Sequence, residues 1–114
     1  MTKVLLNKSY GGFGLSNKAF ELYLNRSGIA YFKEDYGGVI VYKTSNTDED
    51  LYADEISRKD PILIKIVEEL GEEANSRYSD LYIDDIPPGT FYNIVEYDGM
   101  ECIHTPDMYG WEVA

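Results

Sequence analysis

The sequence predicts an α+β fold in a single domain spanning residues 1–114, with two helices packed on one face of a largely antiparallel sheet. Three observations carry that expectation. Asp60-Pro61 opens a run with apolar residues at helical spacing, Gly37-Gly38 and Asp98-Gly99 each punctuate a pair of strand-like runs, and Ser16 precedes a second, shorter helical pattern. Runs of helix and strand that do not alternate regularly favour helices segregated to one side of an antiparallel sheet.

The elements follow in order. Val4-Leu5-Leu6 is short, apolar and bounded by polar residues, which suits a buried strand. Ser16 is a good N-cap, and Leu15 before it can pack on Phe20 as a hydrophobic staple; Ala19, Phe20, Tyr23 and Leu24 then share a face and Gly28 closes the helix. Ile29 to Thr44 is rich in β-branched and aromatic residues around Gly37-Gly38, so a hairpin is expected, although its faces do not alternate cleanly enough to assign a register. Ser45 to Asp54 is polar and acidic and reads as a loop, the most mobile in the chain. In the second helix Asp60 is the cap and Pro61 occupies the first position, where its missing N–H costs nothing. Leu63, Ile66, Val67, Leu70 and Ala74 form its stripe; because Ala74 stays in phase, the helix is expected to continue through Gly71 to about Asn75. Leu81 to Ile86 is a strand stopped by Pro87-Pro88-Gly89, and Phe91 to Tyr97 and Met100 to His104 form a hairpin about Asp98-Gly99. The tail from Thr105 has no period and is expected to pack through Trp111.

Composition narrows the functional classes. The chain is 44% hydrophobic and 27% charged, the balance of a globular protein, and eleven of its 114 residues are tyrosine. Tyrosine pairs an apolar ring with a polar tip and is enriched at binding faces, although it is also a good strand former. A net charge of −11 opposes direct binding to nucleic-acid phosphates or to an anionic membrane surface. The charge is polarised: residues 1–33 hold five basic residues and one acidic, whereas residues 34–114 hold five basic and twenty acidic. Such a protein can present carboxylates to a basic groove. One cysteine, Cys102, rules out an internal disulfide and fits a reducing compartment. Neither a signal-peptide pattern nor an apolar run of membrane-spanning length is present, and the expected location is cytoplasmic.

The stretch NKSYGGFGLS, residues 7–16, raises the question of phosphate binding. A phosphate-binding P-loop needs a lysine and a hydroxyl residue after its last glycine, whereas Gly14 is followed by Leu15-Ser16; a dinucleotide fingerprint counted from Gly12 meets Asn17 where its third glycine belongs. What remains is the generic capacity of a helix N-terminus to face an anion, with Lys8 and Lys18 near enough in sequence to help, set against glycines for the turn and serine for the cap.

A second candidate emerges from the last hairpin. A two-residue turn at Asp98-Gly99 pairs Tyr97 with Met100 and Glu96 with Glu101, so two carboxylates stand directly opposed. Such a pair requires a cation, a raised pKa or open water. Arg58 or Arg77 is a possible internal partner, and an amine of a ligand or partner protein an external one. Arg58, just before the Asp60-Pro61 cap, suits an anion; the preferred alternative is an ion pair with Asp60 or a nearby glutamate. Cys102 and His104 are too few for a zinc site, and no nucleophile motif is present, so no metal, cofactor or catalytic residue is assigned. The candidate residues for binding a ligand or partner are Tyr10, Gly11, Gly12, Phe13, Ser16, Arg58, Glu96, Tyr97 and Glu101.

Three segments taken together, NKSYGGFGLS, SRKDPILIKIVEELGEEAN and EYDGMECI, resemble a group of small accessory proteins encoded by tailed phages and large DNA viruses. The likeness covers roughly a third of the chain, and Cys102 stands where many members are expected to carry a tryptophan. It implies a viral accessory protein acting in the host cytoplasm. Two functions fit that context: inhibition of a host protein, such as a bacterial defence system, by an acidic tyrosine-rich surface, or binding of a nucleotide-like small molecule, by sequestration or by an enzyme. Convergence of the glycine stretch, Arg58 and Glu101 around a cavity would favour the ligand; dispersed residues and a flat acidic surface would favour the protein partner.

Overall fold

The computed structural model describes residues 2–45 and 49–105. Its organising element is β1 (Thr2–Asn7), which is covered on both faces: Val4, Leu5, Leu6 and Asn7 have no solvent exposure. A run of consecutive buried residues carries no alternation, because each face of the strand meets a different layer. β1 pairs antiparallel with β5 (Leu81–Ile86), from Thr2 opposite Ile86 to Asn7 opposite Leu81. Leu5 faces the helices and joins the main core with Leu24, Leu63 and Ile66. Val4 and Leu6 face the other way and, with Ile86, form a second core against Tyr82, Tyr92 and Ile103. Each fully buried aliphatic side chain contributes about 1.5–3 kcal/mol relative to exposure.

Both helices begin as expected. α1 (Asn17–Arg26) is capped by Ser16, whose Oγ accepts from Ala19 N–H at 3.1 Å; Leu15 and Phe20 are both buried in the main core, as a staple requires. α2 (Pro61–Leu70) is capped by Asp60, whose Oδ1 accepts from Ile62 and Leu63 N–H at 2.9 and 3.3 Å. The α-helix stops earlier than its apolar phase suggests. Gly71 has φ of 58°, outside the helical region, and Gly71–Ala74 continue as a 3-10 turn that returns Ala74 to the core. At the surface Arg26 bridges α1 to Glu69 of α2 and Lys18 bridges it to Glu73 of the 3-10 turn; beneath, the Tyr23 hydroxyl donates to Asp60, the α2 cap, at 2.9 Å.

The strands are antiparallel and divided over three small sheets. β2 (Tyr31–Tyr36) and β3 (Val39–Thr44) turn at Gly37-Gly38, both at positive φ, which sets Tyr36 opposite Val39. Part of the expected acidic loop is structured: β4 (Asp50–Leu51) adds to β3, with Leu51 opposite Tyr42 and half-buried against the core, and a 3-10 turn follows at Ala53–Glu55. A two-residue strand leaves no periodic signal, which is why the sequence reads as loop there. β6 (Asn93–Tyr97) and β7 (Met100–His104) form the last hairpin in the expected register, with Asp98 and Gly99 at φ of 51° and 94°. The expected packing of Trp111 lies outside the described residues. No helix among the described residues is long and apolar enough to cross a membrane.

Candidate interaction site

Phe13, Arg58 and Glu101 converge, with the Tyr10–Gly12 turn against Gly99, whereas Ser16 stands apart at the start of α1; the convergence is closed upon itself. Arg58 meets Glu101 in a bidentate pair, Nη1 to Oε1 at 2.5 Å and Nη2 to Oε2 at 2.9 Å. The side chains are 17% and 7% exposed, so both charges are largely desolvated. The guanidinium lies 3.5 Å from the ring centroid of Phe13 and also donates weakly to the Leu5 carbonyl at 3.4 Å. Leu5 N–H donates in turn to the Arg58 carbonyl at 2.7 Å, so the residue is fastened to β1 through backbone as well as side chain. Glu101 Oε1 also accepts from Asn7 N–H at 3.1 Å, and the Glu101 carbonyl accepts from the Tyr82 hydroxyl at 3.0 Å. Burial is the largest effect on the Tyr82 phenol, raising its pKa, with Asp84 adding to the shift.

The Arg58 partner therefore corrects one expectation: it is not Asp60 or a glutamate close in sequence. Asp60 is engaged by the first N–H groups of α2 and by Tyr23. Of the two opposed carboxylates, Glu101 takes the arginine, while Glu96 is exposed and accepts from Gly99 N–H at 3.2 Å, closing its own turn. Arg77 stands 5.6 Å over the Tyr78 ring. The two lysines expected to assist an anion are paired elsewhere, Lys8 with Asp80 at 3.9 Å and Lys18 with Glu73 at 3.0 Å.

Asn7, which sequence reasoning did not single out, joins three turns. Its Nδ2 donates to the carbonyls of Ser9 and Gly99, each at 2.8 Å, and its Oδ1 accepts from Asp80 N–H at 2.8 Å. A buried amide is tolerated only with its groups satisfied, and this one is. The available signal was a polar residue ending an apolar strand immediately before a glycine turn. The glycines permit the approach: a Cβ on Gly11 would lie 2.1 Å from the Tyr78 carbonyl oxygen, and one on Gly99 would lie 2.6 Å from Gly12 N and 2.8 Å from the Tyr10 carbonyl oxygen. Ser9 Oγ donates to the Tyr78 carbonyl at 2.5 Å. Ser16 is occupied as the α1 cap and donates to the Glu73 carbonyl at 2.6 Å.

Tyr10 and Tyr97 are large aromatic candidates left outside this network, 66% and 73% exposed, and Tyr78 is 65% exposed. Surface hollows lie elsewhere among the described residues, including one of about 280 Å³ beside Lys59, Pro87 and Phe91, one of about 230 Å³ between Tyr23, Leu24 and Tyr52, and one of about 420 Å³ beside Lys3, Pro61 and Glu68. Cys102 is exposed, and no group of three metal-ligating side chains is assembled among the described residues. No family model matches the chain, and neither the curated proteins nor the solved structures contain a match to it.

Proposed function

We propose that this chain is an acidic accessory protein of viral origin that acts in the bacterial cytoplasm by binding and inhibiting a host protein, with defence proteins as the target class. The origin and location rest on the resemblance of its three segments to small phage and large-virus proteins. The observation that carries the binding mode is the engagement of Arg58 by Glu101: the cation at the convergence is neutralised within the fold, while Tyr10 and Tyr97, from the same segments, project outward. A nucleotide-like ligand would have to displace a buried carboxylate to reach that guanidinium. A protein partner need only cover the tyrosines, and the net charge of −11 directs the chain toward basic surfaces.

The test is expression in a bacterium whose defence system restricts a phage, alongside passage of a host nucleotide extract over the immobilised protein. Restored plaque formation, with a host protein retained at low salt and released at high salt, is the expected result. Retention or alteration of a nucleotide, with no host protein bound, would overturn the proposal in favour of a small-molecule function.

A further inference from the structure

We infer that the hollow of about 230 Å³ between α1 and residues 51–57 is an anchoring pocket for a partner-protein segment that inserts one large apolar side chain between flanking lysines or arginines. This inference rests on the protein-binding function above and gives it a point of attachment. The interior is apolar. Phe20 and Leu24 of α1, both buried, back the hollow, and Ile29, Leu51 and Ile56, each half-buried, border it. The hydroxyls that line it are already engaged: Tyr23 donates to Asp60, Tyr52 donates to Asp50 at 3.0 Å, and Ser57 Oγ accepts from Lys59 N–H at 3.4 Å. An apolar side chain entering there takes no hydrogen bond from them.

The size suits a side chain rather than a free ligand. Pockets for drug-sized molecules run to about 300–1,000 Å³, whereas single anchor residues seated in small pockets carry much of the affinity at protein interfaces. The frame is set before binding. Leu51 sits opposite Tyr42 in the β3–β4 ladder, Ile56 N–H donates to the Ala53 carbonyl at 3.2 Å, and Tyr23 fastens α1 to Asp60. A pocket already ordered loses less entropy on docking.

Charge at the rim fixes the partner's sign. Residues 49–55 hold Glu49, Asp50, Asp54 and Glu55, all exposed, and no lysine or arginine; Glu55 itself lines the hollow. The Tyr52 phenol registers their charge: its pKa is raised, first by its hydrogen bond to Asp50 and then by the charge of Asp50, with Glu55 and Asp54 adding. Among the described residues Lys43 is the cation that pairs with this segment, at 3.9 Å from Asp50, and it is shared with Glu34 at 3.6 Å. The other nearby cations in sequence are committed or turned away. Arg58 holds Glu101, Arg26 holds Glu69, and Lys59 lines the two hollows beside Thr2 instead. Glu49, Asp54 and Glu55 pair with no basic side chain among the described residues, so the surplus is negative and complements a cationic segment. A second copy of this chain would bring the same carboxylates to the same rim, and nucleic acid would bring phosphates; both are repelled.

The experiment places the photo-crosslinking residue p-benzoylphenylalanine, one position at a time, at 52 and 55, at 10 and 97, and at 91 as a control, in the full chain expressed in bacteria. One host protein crosslinking from 52 and 55 and not from 91 is expected, and mass spectrometry of the crosslinked segment should show a large apolar residue with lysines or arginines on either side. With that protein purified, Asp54→Lys and Glu55→Lys should together weaken binding tenfold or more at unchanged thermal midpoint, and Glu72→Gln should change it less than twofold. Serine in place of the partner's apolar residue should also weaken binding tenfold or more. A crosslinked segment without basic residues, or affinity indifferent to the charge reversal or to the serine, would overturn the pocket. Host-protein crosslinks from 10 or 97 but not from 52 or 55 would overturn it too and leave the protein-binding function standing. Absence of any host protein at all five positions would overturn both.

Discussion

Replacing Arg58 with methionine leaves Glu101, 7% exposed, without its cation and with only the Asn7 N–H and water to satisfy it. Breaking a buried ion pair from one side costs about 3–5 kcal/mol, and loss of the contact with Phe13 adds roughly 0.5–2 kcal/mol. Because the arginine retains 17% exposure and water can relax around the carboxylate, the lower end, about 3 kcal/mol, is expected for Arg58→Met. In urea unfolding followed by circular dichroism, that loss lowers the midpoint by about 1.5–2 M at an m-value of ~1.5–2 kcal/mol/M. Glu101→Gln should cost a similar amount by stranding the guanidinium. The double variant should be less destabilised than the two losses added, with a coupling of about 2 kcal/mol, because it removes both charges together. Losses below about 1 kcal/mol for each single variant, or simple additivity, would refute the clasp.

Three other expectations follow from the geometry. Gly99→Ala must adopt φ of 94° and place a Cβ 2.6 Å from Gly12 N, whereas Gly12→Ala meets strain but open space; chemical denaturation should show about 1 kcal/mol for position 12 and two or more times that for position 99, and equal losses would contradict the interlocked turns. Asn7→Leu leaves Asp80 N–H and the Gly99 and Ser9 carbonyls without their buried partner, and a loss of about 3 kcal/mol is expected, with amide exchange accelerated at the 97–100 turn; unchanged exchange there would count against its joining role. The phenols of Tyr23, Tyr42 and Tyr82 are each raised in pKa, first by burial and then by Asp60, Glu21 and Asp84 respectively. The unfolded chain therefore releases these protons first, near pH ~10, and stability held below that pH should decline as pH climbs past it; full tyrosinate absorbance at 295 nm reached by pH 11 with the fold intact would exclude this.

What the sequence made legible was local. Ser16 and Asp60 advertise caps through contacts two or three residues away, and Asp98-Gly99 sets the hairpin register because two adjacent residues at positive φ define which pairs oppose. The limits are equally local in origin. The helical phase of Ala74 is real, yet Gly71 interrupts the α-helix and a 3-10 turn preserves the burial, so periodicity alone overran the boundary. Val4 to Asn7 has no alternation from which two cores could be inferred. The opposed glutamates announced the need for a cation, but choosing it required knowing that Asp60 was occupied and that Arg58 and Glu101 both meet β1, through Leu5 and Asn7. A separation of 43 residues leaves no mark on either neighbourhood.

The division of labour inside the two glycine-bearing segments bears directly on function. In NKSYGGFGLS, Asn7 joins turns, Lys8 pairs with Asp80, Ser9 holds Tyr78, and Phe13 lies under Arg58; the glycines permit the bends and close approaches, Leu15 is core and Ser16 caps a helix. Tyr10 alone has no such task. In EYDGMECI, Glu96 closes the turn, Asp98 and Gly99 form it, Glu101 holds Arg58 and Ile103 enters the second core, which leaves Tyr97 and Cys102 outward. A shared junction of this kind transmits a fold, because altering almost any member strands a buried group or forces backbones apart. The few outward positions are free of that constraint. Two sequences can therefore keep both segments nearly intact and still differ at the exposed positions 10 and 97, whose side chains bear none of these contacts.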